Sequence, residues 1–423
     1  MKIKTILASV VVAVTLLLMS GKIFVSQAIS LFNLPDFSGD FGGRTRKIII
    51  FEPQVLNEGA LDVLVERFGG VRIKNLGLIN GKAVLLPPAA VEILRRQAGV
   101  LRIDDDVVVE ALPSWDRWVR PTRAPKPTST PKPTATPTPA AIQTLPWGVD
   151  RIDAEKVWAT TSADLIKVGI IDTGIDIKHP DLKDNLKGGV NTIRATSSYT
   201  DDNGHGTHVA GIVGALNNTI GVVGVGPQID LYGVKVLDRR GSGYLSDVIE
   251  GLDWAVQNRM QVVNMSLGTS SDVQSFREAV QRVNSAGIVQ VAAAGNSGAA
   301  VIFPAAYPEV IAVSATDNTD TIASWSSRGP EVDLAGPGVN IYSTYKGSTY
   351  QTLSGTSMAS PHVAGAAALV LSVPGKCDYN FDSVCSPAEV QQRLEATAED
   401  LGVSGRDDLY GYGLVDAEKA VMW

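Results

Sequence analysis

From Gln143 onward, short apolar runs alternate with stretches of helical spacing, and this alternation constrains the fold more than any other feature of the 423-residue chain. Ile166 to Ile171, Asp230 to Val236, Val262 to Met265, Val289 to Ala293 and Val310 to Ser314 read as strands bounded by turn residues. Between them, His208 to Leu216, Ser246 to Asn258, Val273 to Ala286 and Ser357 to Leu371 space apolar residues three and four apart. Continuous apolar strands joined by helices predict a doubly wound, mainly parallel α/β domain over 143–423, with reacting groups at the carboxyl ends of strands.

The preceding residues divide into four parts. Residues 113–142 are rich in Pro and Thr, with PKPTSTPKPTATPTP at their centre. Such a stretch buries no core and predicts a semi-rigid extended linker. Residues 46–112 read as β-α-β-β-α-β, a small α+β ferredoxin-like domain. Its strands are Lys47 to Phe51, Val71 to Ile79, Lys82 to Leu86 and Val100 to Ala111; Asn80-Gly81 marks a hairpin and Pro87-Pro88 opens the second helix. Lys2 and Lys4 precede an apolar stretch from Ile6 to Met19, and Ser26 and Ala28 are small residues at spacing two. This predicts a secretory signal over 1–28, then a spacer over 29–45. The competing reading is an uncleaved anchor, since Ile23, Phe24 and Val25 extend the apolar run beyond Lys22.

Charge is unevenly shared. Residues 1–142 hold 18 Lys+Arg and 12 Asp+Glu, whereas 143–423 hold 19 and 32. The acidic C-terminal portion disfavours nucleic acid or an anionic membrane as a partner. Cys377 and Cys385 are the two cysteines. In an exported chain they predict a disulfide, because a zinc site would need histidines that this segment lacks.

Ser357 lies in GTSMASPHVAG (355–365), where a turn of small residues feeds an apolar helix and exposes a hydroxyl at its start. A serine hydroxyl needs a base, and the base needs an orienting carboxylate. GHGTHVAG (204–211) offers His205, and GIIDTGID (169–176) offers Asp172 at the end of an apolar run. These three motifs, in the order Asp, His, Ser, resemble the subtilisin-like serine peptidase family over about residues 143–423, and residues 46–112 resemble its inhibitory propeptide.

The resemblance implies an acyl-enzyme on Ser357, His205 as general base and Asp172 as its orienting acceptor. It implies an oxyanion donor in Asn296 of AAAGNSG. An extended substrate would be clamped between Gly241, Ser242, Gly243 and Ser266, Leu267, Gly268, and Ile302 at the base of the primary pocket would favour small or medium apolar side chains. His208 and His362 read as structural. The resemblance further implies a calcium site formed by Gln143, Asp181, Asn218 and the carbonyls of Leu216, Ile220 and Val222. Asp378, Asn380, Asp382, the carbonyl of Val384, Ser386 and Glu389 fall at positions 1, 3, 5, 7, 9 and 12 of an EF-hand-like loop, with Ser383 where glycine is usual and a helix from Pro387. That segment reads equally as a disulfide-closed insertion without metal.

The function expected is a secreted endopeptidase acting on proteins or peptides. It would be a monomer off the membrane once the signal is cleaved, made as a self-processing zymogen with its own propeptide as intramolecular inhibitor. The processing site would lie within 110–143. The alternative is a non-catalytic binding module that keeps the fold and holds the propeptide as a permanent ligand. Intact Asp172, His205, Ser357 and Asn296 weigh against it.

Overall fold

The computed structural model describes residues 43–52, 58–112 and 143–423. The expected signal segment, most of the 29–45 spacer and the 113–142 linker lie outside the described residues.

The N-terminal unit runs β1 (Thr45–Phe51), α1 (Glu58–Arg67), β2 (Val71–Leu76), β3 (Gly81–Leu86), α2 (Pro88–Leu94) and β4 (Val100–Asp105), with its four strands in the antiparallel order β2-β3-β1-β4. The period-two alternation of a strand explains why Ile48 to Phe51 are all apolar. Ile49 and Phe51 pack with Val84, Leu86, Leu61, Val65 and Phe68, while Ile48 and Ile50 point to the opposite face. The expected strand Val71–Ile79 ends at Leu76, since Gly77–Ile79 curl into a short helical turn that Asn80 closes at a φ of 50°. The expected strand Val100–Ala111 is likewise broken. Its second part, β5 (Val108–Ala111), leaves the unit to lie between β9 (Ser242–Tyr244) and β11 (Leu267–Gly268).

The C-terminal unit carries a seven-stranded parallel sheet in the order β14-β13-β12-β10-β6-β8-β7. These strands are β6 (Lys167–Asp172), β7 (Leu186–Asn191), β8 (Asp230–Lys235), β10 (Val262–Met265), β12 (Val289–Ala293), β13 (Ile311–Thr316) and β14 (Leu334–Pro337); β15 (Ile341–Tyr345) and β16 (Thr349–Leu353) form a separate hairpin. Its helices are α3 (Trp147–Arg151), α4 (His205–Gly214), α5 (Leu245–Gln257), α6 (Gln274–Ser285), α7 (Thr356–Leu371), α8 (Pro387–Thr397) and α9 (Ala417–Met422). One apolar core lies between the sheet and α4 and α7, and a second lies between the sheet and α5 and α6. Every residue of β10, β12 and β13 is buried, as a parallel sheet covered on both faces requires. Ile48 and Ile50 of β1 join the second core, so the N-terminal sheet packs directly on α5 and α6.

The alternation expected from sequence thus corresponds to the doubly wound sheet, with ends shifted by at most two residues except at the start of α4, which lies three residues earlier, at His205. Strands β7 and β14 were not expected. Their sequences, LKGGVN and LAGP, lack a β-branched run, and their pairing with β8 and β13 is set by the sheet they complete. Cys377 and Cys385 are joined, with Cα atoms 5.4 Å apart. Among the described residues no helix is long and apolar enough to cross a membrane.

Candidate active site

Asp172 is the last residue of β6 and is wholly buried. Both of its carboxylate oxygens lie 2.9 Å from Nδ1 of His205, and Oδ1 also accepts the Thr173 N–H at 2.7 Å. A carboxylate only accepts here, so Nδ1 carries the proton and the lone pair of the neutral ring is on Nε2. His205 opens α4, whose start is fixed by a network of side chains. Asp201 accepts from the N–H groups of Asn203, Gly204 and Thr207 and from the hydroxyls of Thr173 and Thr207, at 2.6 to 2.9 Å. Thr173 Oγ1 accepts the Gly206 N–H at 2.9 Å. Gly206 is the residue the close approach demands, since a Cβ there would overlap the Gly174 carbonyl and come within 3.1 Å of Asp172.

Ser357 is the second residue of α7, which packs on α4. Its Oγ lies 3.3 Å from the carbonyl oxygens of Ser266 and Leu112. Ser266 Oγ, just past β10, donates to the Ser357 carbonyl at 2.9 Å and accepts from Asn264 at the same distance, and Ser360 Oγ donates to Asn264 at 2.6 Å. This chain of buried hydroxyl and amide groups ties the start of α7 to the sheet. Asn296 follows β12. Its side-chain Oδ1 accepts from Thr356 N–H at 2.9 Å and from Thr356 Oγ1 at 2.8 Å, which fixes the amide with Nδ2 turned to Gly355, before the serine. Asp172 and Asn296 therefore lie at or just past the carboxyl ends of interior parallel strands, and His205 and Ser357 at the starts of α4 and α7.

The groove beside Ser357 holds a strand of the same chain. In β5, Val108, Val109 and Glu110 pair with Tyr244, Gly243 and Ser242 on one side, and Glu110 and Ala111 pair with Gly268 and Leu267 on the other. The Ala111 N–H donates to Gly241 at 2.7 Å and the Leu112 N–H to Ser266 at 3.5 Å. All six residues expected to clamp a substrate thus contact this strand. The Ile302 side chain lies against both Gly268 of one wall and Gly295, which precedes Asn296.

Two carboxylates anchor the N-terminal unit and were missed in the sequence. Asp106, where the expected last strand breaks, accepts the Ser246 N–H at 2.8 Å, Ser246 Oγ at 2.9 Å and Arg46 Nε at 2.8 Å. Burial raises its carboxyl above the usual range against these bonds. Asp104 accepts the Ser275 N–H at 3.1 Å and the Ser275 hydroxyl. Each carboxylate caps the N-terminus of a helix in the other unit, α5 and α6 respectively. Arg102 pairs with Glu278 through two 3.1 Å bonds. The only trace in the sequence was the run Asp104-Asp105-Asp106 interrupting an apolar strand.

His208 and His362 are buried and bonded to backbone carbonyls, His208 to Ile341 and Gln351 and His362 to Met358. Burial lowers them to about 3 and about 4, so both are neutral.

The residues expected at the first calcium site are together. Leu216 O, Val222 O and Asn218 Oδ1 converge on Gln143 Nε2 at 2.7, 3.1 and 3.4 Å, and Asn218 bridges to Asp181 at 2.7 Å. Ile220 follows in the same turn, its N–H on Asn218 Oδ1. The carbonyls of Leu216 and Val222, Asn218 Oδ1 and the partly desolvated Asp181 carboxylate make a donor set of oxygens only, the kind that calcium takes. In the second loop Asp378 accepts the N–H groups of Asp382 and Ser383, Asn380 that of Asp382, and Asp382 that of Val384. Glu389 accepts those of Tyr379, Asn380 and Ser386, together with the Ser386 hydroxyl. The side-chain oxygens thus turn inward on the loop's own amides, and Ser383 takes a φ of 69° where glycine was expected. Among the described residues no cluster of three or more His, Cys, Asp or Glu side chains is arranged to hold a metal.

Residues 164–413 match the sequence profile described as "Subtilase family". The chain is 48% identical over 286 residues to Subtilisin DY of Bacillus licheniformis, which covers 66% of this chain and all of that protein. It is 48% identical over 282 residues to the Thermostable alkaline protease of Halalkalibacterium halodurans, covering 66% of this chain and 74% of that protein. Subtilisin amylosacchariticus of Bacillus subtilis subsp. amylosacchariticus is 39% identical over 368 residues, 85% of each chain, and so extends into the N-terminal unit. With a parallel sheet bearing Asp172 and His205 in contact and Ser357 on the adjoining helix, the chain belongs to the subtilisin-like serine peptidase family.

Proposed function

We propose that this peptidase cleaves proteins through an Asp172–His205–Ser357 triad and is made as a secreted zymogen whose N-terminal unit is its inhibitor. The observation that carries the reading is the bond between the buried Asp172 carboxylate and His205 Nδ1, which leaves Nε2 as the base for a hydroxyl on the neighbouring helix. Ser357 Oγ attacks the substrate carbonyl, its proton passes to His205 Nε2, and the imidazolium is stabilised by Asp172. The same proton then goes to the departing amine. Asn296 Nδ2 and the Ser357 backbone N–H donate to the oxygen that becomes negative. Water repeats the sequence on the ester and frees the acid.

Substrate binds as an added strand between Ser242–Tyr244 and Leu267–Gly268, in the place now taken by β5. Main-chain pairing tolerates many sequences, and Ile302 limits the acyl-side pocket to small or medium apolar side chains, a size met by Leu112. Residues 46–112 act as the intramolecular inhibitor, 113–142 as the linker and 1–28 as the export signal.

Gln143, Asp181, Asn218 and the carbonyls of Leu216, Ile220 and Val222 would hold a calcium ion, which would brace the loop after α4. Asp378, Asn380, Asp382, Val384, Ser386 and Glu389 would hold a second ion once their oxygens let go of the loop amides. Neither ion enters the reaction.

Irreversible labelling by a serine-directed fluorophosphonate tests the triad. Labelling of the matured protein and none of Ser357→Ala is expected. A folded, matured protein left unlabelled would instead favour a non-catalytic binding module.

A further inference from the structure

We propose that the peptide bond offered to Ser357 by the chain itself is the one after Leu112, and that it is a slow bond, so the inhibitory unit leaves by a cut elsewhere. The inference rests on the reading of Ser357 as the nucleophile. Strand β5 is held on both sides through Ala111, and the next carbonyl, that of Leu112, is 3.3 Å from Ser357 Oγ. Leu112 itself is buried, at 8% exposed. The register is therefore that of a substrate whose acyl residue is Leu112.

The residue that follows in the sequence is Pro113. Proline disfavours only the helical conformation of the residue before it, and Leu112 follows directly on strand β5, so docking is unhindered. Cleavage is different. In acylation the Ser357 Oγ–carbon bond forms, the carbon–nitrogen bond to residue 113 breaks, and the Oγ proton must pass through His205 to that nitrogen. Water then hydrolyses the ester and restores the serine. On an ordinary residue this nitrogen carries a hydrogen and can pyramidalise freely. On proline the ring carbon Cδ replaces that hydrogen and holds the nitrogen in a five-membered ring, which hinders its pyramidalisation toward an incoming proton. General-acid delivery to the leaving nitrogen contributes about 100-fold or more to such a step, and this is the contribution the ring obstructs.

The consequence is an inhibitor that behaves as a tethered, uncut ligand. Residues 113–142 supply 30 further positions, and a second molecule with an open cleft can cut there. Such a cut leaves the inhibitor non-covalently docked, and activation then follows its dissociation and digestion. The zymogen would consequently activate with a lag that shortens as protein concentration rises.

The test uses the precursor from which the 1–28 signal has already been removed, as wild type, Pro113→Ala and Ser357→Ala, followed by intact mass and N-terminal sequencing over time, with fluorophosphonate labelling alongside. Expected is a wild type whose first new N-termini all fall after residue 113. Pro113→Ala should generate a chain beginning at residue 113 at least about 100-fold faster than the wild type generates one beginning at Pro113. Ser357→Ala should remain intact. A wild type that releases a chain beginning at Pro113 as fast as the variant releases its counterpart overturns the proposal. So does a Pro113→Ala chain that labels at Ser357 yet is never cut after Leu112, since the register would then be wrong. If neither cleavable protein labels at all, the nucleophile reading falls first and the proposal with it.

Discussion

Two glycines of α4 give a controlled test of how closely the histidine must be held. Gly206 and Gly214 lie on one helix, and at both the same Gly→Ala change adds one methyl group and about 1 kcal/mol of helix propensity. The surroundings differ. At Gly214 the new Cβ meets Gly226, Ile229 and Leu231 at 3.4 Å, an ordinary contact. At Gly206 it falls inside the Gly174 carbonyl oxygen and 3.1 Å from Asp172, so the start of α4 must move away from β6. A displacement of about 1 Å at His205 costs about 100-fold in rate. Gly214→Ala should therefore keep kcat/KM within about threefold and gain up to about 1 kcal/mol of stability, whereas Gly206→Ala should lose about 100-fold, mostly in kcat. The assay is steady-state hydrolysis of a peptide chromogen by matured protein, with thermal unfolding in the Ser357→Ala background to show that both variants fold. Gly206→Ala at full activity would refute the argument, as would equal damage from the two substitutions.

Removing Asp106 strands the Ser246 N–H at the boundary between the units and leaves the Arg46 guanidinium with its bond to Ser246 Oγ alone. Asp106→Ala should weaken docking by about 3 kcal/mol and raise the early leak activity of the uncut precursor on a small peptide by about 100-fold, whereas unchanged leak would deny the cap its role. Acid should unfold the protein in a defined window. His208 and His362 are depressed to about 3 and about 4, so their contribution is present above pH 6.5 and is lost as pH falls toward 4. Asp333, raised to about 7 by burial, contributes in the opposite sense: its stabilisation is full below its ordinary pKa and lost as pH rises through 7. Two histidines against one aspartate leave a net loss of about 1.4 kcal/mol per pH unit from these three groups between pH 6.5 and 4, measurable by denaturant unfolding of Ser357→Ala. A profile that stays flat in His208→Gln and wild type alike would exclude a neutral buried imidazole. Cys377→Ser with Cys385→Ser opens a loop of sequence separation 8 and should cost about 2 to 3 kcal/mol, seen as a Tm lowered by about 5 °C.

The parts of this fold that were legible in the sequence are those whose residues carry their own signal. Strands β10 and β12 were read to the residue because a fully buried parallel strand is an unbroken apolar run. Asp172, His205 and Ser357 stood out as candidates because each is framed by small residues that a close approach requires. What could not be read depends on partners far away in sequence. Strand β7 forms because β8 offers an edge, and Asp106 reads as one more acid until Ser246 of α5 is brought beside it, 140 positions later. Asp201 and Thr356 were missed for the same reason: aspartate before a helix and threonine beside serine are common, and only the fold aims them at His205 and Asn296.

Helix α7 is buried from Thr356 to Val370, with its alanines and glycine letting neighbouring elements close around it. The hydroxyl proposed as nucleophile is thus mounted on the keel of the molecule instead of on a surface loop. Amides along this segment should exchange with deuterium only when the whole domain comes apart. Whatever loosens the interior, even a cavity cut far from the cleft, should be felt as a drift of the Ser357 hydroxyl.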